Sequence, residues 1–335
     1  MKFVTIIDIA RELGISKSTV SRALSGDTHN VKAETMRKII DTAHRMGYQR
    51  NEQAVNLRQQ HTKTVGIIIP DAMTPFFMTF IQQAQKELKR RGYQTIVTVA
   101  NEDYEAEHEY LLMLTQSRVD GILMSVCHKD RNIEAYRQVM NRGIPIVFFD
   151  RTVEGLDASQ VRMDDEIMSY FMVETLIRMG KRHIIHLAGP SYVIPAVNRH
   201  IGYRQALEKF HVPYDERYVL EGGLKFHEGA QAMQNFLALG LEFDAVFCFT
   251  ETTMVGAKNV LQNMHYRIPE DVAICTVSGT ELCTFVHPTI SAVEQPLKQM
   301  AIEASRLLTQ QIEKPESPHE NIILRGEIIL RESTK

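Results

Sequence analysis

The chain has 335 residues, 44% of them hydrophobic and 24% charged, with four cysteines and a formal net charge of −3. That length exceeds one typical domain, and the composition argues against a disordered tail or a disulfide-built scaffold. The charge is uneven: residues 1–63 carry 11 Lys and Arg against 6 Asp and Glu, a net of +5, which leaves −8 on the remainder. A basic head on an acidic body suits a nucleic-acid-binding module attached to something that should not adhere to nucleic acid.

At the N-terminus, Met1-Lys2-Phe3-Val4-Thr5 has one cation and no long apolar core, so no secretory signal is expected. Thr5 is placed to N-cap a first helix, with Asp8 three residues on in a capping-box-like arrangement. Ile6, Ile9, Ala10 and Leu13 fall on one helical face, and Gly14 ends the helix. Ser16 caps a second helix whose buried side needs only Val20, Ala23 and Leu24. Its remaining face is Lys17, Ser18, Ser21 and Arg22, two cations and short polar groups without an acid. Such a face fits the reading helix of a helix-turn-helix; the competing reading is a helical hairpin whose charges are merely solvated. A third helix, Ala33 to Met46, carries Met36, Ile39, Ile40, Ala43 and Met46 on one side and ends at Gly47.

The run from Thr5 to Leu24, followed by Asn30-Val31-Lys32-Ala33-Glu34-Thr35 and Met46-Gly47-Tyr48, resembles the DNA-binding domain of the LacI/GalR family of bacterial transcription regulators. The likeness continues through Ala54, Leu57, Thr62-Lys63-Thr64 and Val65 to Pro70, and more weakly to Arg331-Glu332-Ser333-Thr334. It implies that Lys17, Ser18 and Arg22 read base edges, Arg22 and Lys17 before Ser18, because Lys and Arg can hydrogen-bond guanine O6 and N7. Ser16, Thr19 and Ser21 then cap, pack or touch phosphate, and Thr5 and Asn30 belong to the same DNA-facing set. In the hinge that follows, Asn51 is placed to cap a helix whose inner face carries Ala54 and Leu57. Leu57 matches the family's minor-groove wedge; the alternative is packing against the third helix. Arg50 and Val55 replace the Pro and Arg usual there.

Beyond Lys63 short apolar runs alternate with amphipathic stretches. Strands are expected at Val65–Pro70, Thr95–Ala100, Gly121–Val126 and Ile144–Phe149, with helices at Phe77–Arg91, Glu105–Ser117 and Ile133–Asn141. The pattern restarts with a helix at Glu166–Met179 and strands at His183–Ala188, Tyr218–Glu221, Ala245–Phe249 and Val272–Val277. Alternation of this kind argues for parallel α/β sheets. A faint internal echo places Asp120 before one buried strand and Asp244 before another. The resemblance implies an all-α helix-turn-helix head plus an α/β body of two Rossmann-like lobes, as in periplasmic sugar-binding proteins. The expected divisions are residues 1–48 for the head, 49–63 for the hinge and 64–335 for the body. Lobe 1 then spans 64–162 and 296–320, and lobe 2 spans 163–290 with the C-terminal strands. A last crossing near Thr289–Pro296 leads into a helix at Leu297–Glu313 that packs on the first lobe.

Parallel sheets place ligands beyond the C-terminal ends of their strands. Pro75-Phe76-Phe77 follows the first strand, and Asp150-Arg151 ends the fourth. By the resemblance, Phe76 lies against an effector and Arg199 reaches it. Glu251 stands where many members carry Asp, and Ser278 where many carry a sugar-binding Asp. A serine in place of that carboxylate, with Arg151 and Arg199 retained, points to an anionic sugar derivative; the alternative is a neutral ligand with Arg151 solvated. Cys127, Cys248, Cys275 and Cys283 read as small buried thiols, and Met163, Met168, Met172 and Met179 as core. No metal site, cofactor, nucleotide loop or catalytic motif is legible. No apolar run approaches the roughly 20 residues of a membrane helix. The expected protein is therefore a cytoplasmic, non-enzymatic, ligand-responsive DNA-binding regulator of carbohydrate genes. It would act as a homodimer on a pseudo-palindromic double-stranded operator, with a sugar or sugar derivative as effector. A sugar-binding receptor with an unrelated helical extension is the alternative.

Overall fold

Residues 4–26, 30–48 and 61–335 are described in the structure, a computed structural model. The chain divides after Thr62 into two units, each with its own core. In the first, α1 (Ile6–Leu13), α2 (Lys17–Leu24) and α3 (Ala33–Arg45) enclose Ile9, Val20 and Ile39, all fully buried. Asp8 starts α1 by accepting both the Thr5 N–H (2.9 Å) and the Thr5 hydroxyl (2.7 Å). Gly14 ends α1 with φ +65°, and Ser16 caps α2 by accepting the Thr19 N–H at 3.1 Å. Ile40 departs from expectation: it is 39% exposed. Successive helical residues lie roughly 100° apart, so Ile40 falls off the narrow stripe that packs on α1 and α2 through Ile39 and Ala43. The hinge positions Asn51, Ala54 and Leu57 lie outside the described residues.

The second unit contains two six-stranded sheets. The first joins β1 (Thr64–Ile69), β2 (Gln94–Val99), β3 (Gly121–Met124), β4 (Ile146–Phe149), β5 (Ser159–Met163) and β11 (Asn321–Leu324) in the order β11-β5-β4-β3-β1-β2. The second joins β6 (Ile184–Ala188), β7 (Val219–Glu221), β8 (Ala245–Cys248), β9 (Ala273–Val277), β10 (Ser291–Glu294) and β12 (Glu327–Ile329) in the order β12-β10-β9-β8-β6-β7. Every pairing is parallel except β10 with β12. β3, β4 and β8 are buried along their whole length, which is why they read as unbroken apolar runs. β5 escaped the sequence reading because Gln160 and Arg162 alternate with its buried residues.

In the first lobe the connecting helices are α4 (Pro75–Arg90), α5 (Tyr104–Gln116) and α6 (Ile133–Asn141); in the second they are α7 (Asp165–Arg178), α8 (Ile194–Lys209), α9 (Phe226–Leu237), α10 (Glu251–Asn263) and the short α11 (Leu282–Phe285). The last helix, α12 (Leu297–Glu313), packs back on α4. The chain crosses between lobes three times, after Met163, after Glu294 and between Leu324 and Glu327. One expectation is corrected: the C-terminal strands do not both join lobe 2. β11 pairs with β5 in the first sheet, because the chain leaving α12 is already on lobe 1 and that sheet's edge is the nearest unpaired ladder. Of the methionines expected in the core, Met163 is fully buried on β5, whereas Met179 is 41% exposed just past the end of α7.

The internal echo has a structural meaning. Asp120, before β3, accepts the Lys63 N–H at 3.0 Å; Asp244, before β8, accepts those of Arg182 (2.7 Å) and His183 (3.0 Å). In both lobes a carboxylate satisfies backbone donors at the start of the neighbouring strand. The approach of α8 to α7 depends on Gly202, where a Cβ would lie 2.2 Å from the Glu166 carbonyl oxygen. One turn earlier on α8, Arg199 meets Asp165 at the start of α7. Gly202→Ala is therefore expected to destabilise the body by about 1–3 kcal/mol in urea unfolding. An unchanged midpoint would show that the crossing has slack.

Candidate functional site: a polar helix face and an interlobe cleft

On α2 the structure leaves Lys17, Ser18 and Arg22 exposed, with Ser16 exposed at the cap and Thr19 and Ser21 half-buried. Neither Lys17 nor Arg22 pairs with a carboxylate among the described residues. Ser16 Oγ lies 2.7 Å from Ser18 Oγ and 2.8 Å from Thr19 Oγ1, so these hydroxyls form a local chain at the helix start. Thr5 and Asn30 are exposed as well. A helix face with two unpaired cations and several hydroxyls is chemically suited to phosphates and base edges.

The second site is a cleft between the two sheets of the body, open to solvent on one side and lined by residues that follow their strands. Phe76, Arg151, Arg199, Glu251 and Ser278 all line it. Asp71, Glu102, Asp150, Phe249 and Thr250 join them, each following the end of β1, β2, β4 or β8. The same strand-end rule that singled out Phe76 and Asp150 would have found Asp71 and Glu102, had it been applied at every strand. Asp150 follows β4 with φ +56°, and Ser278 follows β9, its counterpart in the other sheet, with φ +60°. Such left-handed backbone is costly for a non-glycine residue and clusters at binding sites.

The charges are arranged differently from the expectation of two free arginines. Arg151 is held by Glu102 in a two-pronged pair at 2.6 and 2.9 Å. Burial opposes its charge, but the attraction and hydrogen bonds of Glu102 outweigh that and raise its pKa. Arg199 donates to Asp165 at 2.7 Å and to the Phe249 carbonyl at 2.6 Å, with its guanidinium 4.7 Å from the Phe249 ring. Both cations are therefore neutralised within the lobes. The carboxylates are the groups left wanting: Glu251 Oε1 is buried without a hydrogen bond, and the Asp150 carboxylate accepts none from the described residues. Burial pushes Asp150 up to about 6, helped by repulsion from Asp165. Burial pushes Glu251 up to about 7, against the donors Thr280 N–H (3.1 Å) and Thr280 hydroxyl (2.7 Å) on its other oxygen. Thr74 Oγ1, at the same cleft, is also buried without a partner, and Ser278 Oγ accepts from Gln295 Nε2 at 2.6 Å. The unpaired groups of the cleft are therefore acceptors rather than the two free arginines expected from the sequence.

Glu251 sets a pH dependence. Its folded pKa lies above the ordinary carboxylate value of 4.5, so the folded state binds that proton more tightly than the unfolded state. The stability it contributes is complete below about pH 4.5 and is lost as pH rises through about 7. Glu251→Gln removes the titration while keeping an acceptor for Thr280. In the ligand-free protein the variant is expected to gain on the wild type by roughly 1–3 kcal/mol between pH 5 and 8. Parallel pH–stability curves would contradict the assignment.

Known proteins share both halves of this architecture. Residues 5–51 match the family described as bacterial regulatory proteins, lacI family, and residues 62–329 match periplasmic binding proteins and sugar binding domain of LacI family. The chain is 30% identical over 98% of its length to the HTH-type transcriptional regulator RegA of Clostridium saccharobutylicum, covering 99% of that protein. A solved structure described as a transcriptional regulator CelR-cellobiose complex is 27% identical, with TM-score 0.74 and coverage of 98% and 99% of the two chains. The lac repressor dimer bound to operator shares the fold at TM-score 0.89, 21% identity and 99% coverage of both chains. The match over residues 5–51 sets aside a receptor with an unrelated helical extension. No helix among the described residues is long and apolar enough to cross a membrane. The chain belongs to the LacI family of bacterial DNA-binding transcription regulators.

Proposed function

We propose that the protein is a repressor that binds a pseudo-palindromic operator as a homodimer and responds to a neutral, hydroxyl-rich effector of the carbohydrate class held between its lobes. We read it as a cytoplasmic regulator without catalytic activity, in keeping with relatives that are named as a transcriptional regulator and a transcriptional repressor. In this reading Arg22 and Lys17 contact base edges, Ser18 assists, and Thr5, Ser16, Thr19, Ser21 and Asn30 position the head on phosphates or within its own packing. Asn51, Ala54 and Leu57 are assigned to the hinge, with Leu57 as the minor-groove wedge. Two heads are needed because one short helix offers too few base contacts for a genome-wide search.

The effector assignment rests on one observation, the buried and unpartnered Glu251 Oε1 in the cleft whose arginines are already paired. Acceptors lacking donors are satisfied by hydroxyl groups. Phe76 and Phe249 offer flat apolar surface beside them. A relative solved with cellobiose at 27% identity supports the same class.

Two measurements check this. In operator titrations Arg22→Ala is expected to cost about 1–3 kcal/mol and to relax preference at particular base pairs. A uniform loss over all sequences would make Arg22 a phosphate contact instead. In a thermal-shift screen of matched ligands, a neutral sugar is expected to stabilise the protein more than its phosphate or acid. The opposite order would overturn the reading of the paired arginines.

A further inference from the structure

The loop between β3 and α6 is built around a buried carboxylate outside the cleft. Glu107, on α5, is fully buried and forms no ion pair among the described residues. Its Oε2 accepts the Cys127 N–H at 2.6 Å, and its Oε1 accepts Asn132 Nδ2 at 2.9 Å and the Tyr136 hydroxyl. Asn132 Nδ2 also donates to the Tyr104 carbonyl at 2.6 Å. One carboxylate thus pins the loop at Cys127 and again at Asn132, leaving residues 128–131 as a projecting tip.

That tip reaches the other lobe. The His128 ring stacks on the Tyr192 ring with centroids 4.9 Å apart and planes 7° from parallel, and Tyr104 meets His128 edge-on. His128 Nδ1 accepts the Asp130 N–H at 3.1 Å, which fixes the ring's orientation. The Lys129 N–H donates to the Tyr192 carbonyl at 2.9 Å. Among the described residues this is the one hydrogen bond joining the lobes away from the three crossings. Both ends of the contact lead to the cleft. Val126 N–H donates to the Arg151 carbonyl, and Tyr192 packs in the cluster that contains Phe249 and Leu224.

We infer that residues 127–132 and Tyr192 form a latch that sets the population of the closed lobe arrangement, with Glu107 as its positioning residue. The inference rests on the reading of the cleft as the effector site, since a contact that biases lobe closure biases whatever binds between the lobes. Glu107 acts through the loop and does not line the cleft.

Hydrogen–deuterium exchange of the full-length protein without added ligand tests it, with heavy water as the only probe. His128→Ala, in lobe 1, is expected to speed exchange of the Val193 amide region in lobe 2 by about tenfold. Tyr192→Ala, in lobe 2, is expected to do the same to the Lys129 amide in lobe 1. Tyr192→Phe keeps the stack and the carbonyl and is expected to match wild type. Glu107→Gln places an NH2 against the Cys127 N–H or the Asn132 donor, and is expected to reproduce the cross-lobe effect. If that buried variant does not fold, the two half-buried positions decide. Changes confined to the mutated lobe would overturn the latch. If the exchange results hold but no sugar binds in the thermal-shift screen, the latch stands and the effector assignment falls.

Discussion

Strand direction is the constraint on which the body depends. Within each sheet the strands from β1 to β5 and from β6 to β10 run parallel, so their C-terminal ends share one edge. Three crossings bring those two edges face to face. The residues that follow the strands then have no choice but to line a common cleft, and the left-handed backbone at Asp150 and Ser278 turns two of them into it. The helices serve the same end. Gly202 lets α8 approach α7 closely enough for Arg199 to meet Asp165.

Pairing decides which groups of the cleft are left unsatisfied. An arginine in a pocket is commonly read as a site for an anion, but a buried cation without a partner is too costly to leave in a ligand-free protein. Arg151 and Arg199 are compensated by Glu102 and Asp165, and the surplus is negative. What remains unsatisfied is acceptor capacity on Glu251 and Asp150, kept there at the expense of raised pKa values near neutrality. In the proposed reading, a ligand hydroxyl that donates to Glu251 would stabilise the lobe arrangement in which the other lobe's groups also reach it. Binding between lobes is thereby linked to their angle, and the angle is the quantity a regulator can transmit.

Local features were legible in the sequence and distant pairings were not. The periodicity of Ile6, Ile9, Ala10 and Leu13, the caps Thr5 and Ser16 and the stop at Gly14 are all set within a few residues, and each appears in α1 and α2. Ile133–Asn141 and Leu297–Glu313 likewise coincide with helices α6 and α12. The partners of Arg151 and Arg199 lie 49 and 34 residues away, so sequence spacing shows nothing of them, and the expectation of two free arginines failed there. Glu107 reads as an ordinary helix-surface acid in the amphipathic stretch of α5; only the return of the loop over it makes it buried. The assignment of β11 to the first sheet depends on which edge is open, which no local pattern encodes.

The central claim is that occupancy of the cleft and occupancy of operator DNA are coupled. A titration of operator with and without a saturating sugar identified by thermal shift measures that coupling directly. The account predicts that the sugar changes operator affinity by about 5–150-fold, and that operator changes sugar affinity by the same factor. A sugar that binds in the cleft with identical affinity in the presence and absence of operator would contradict it.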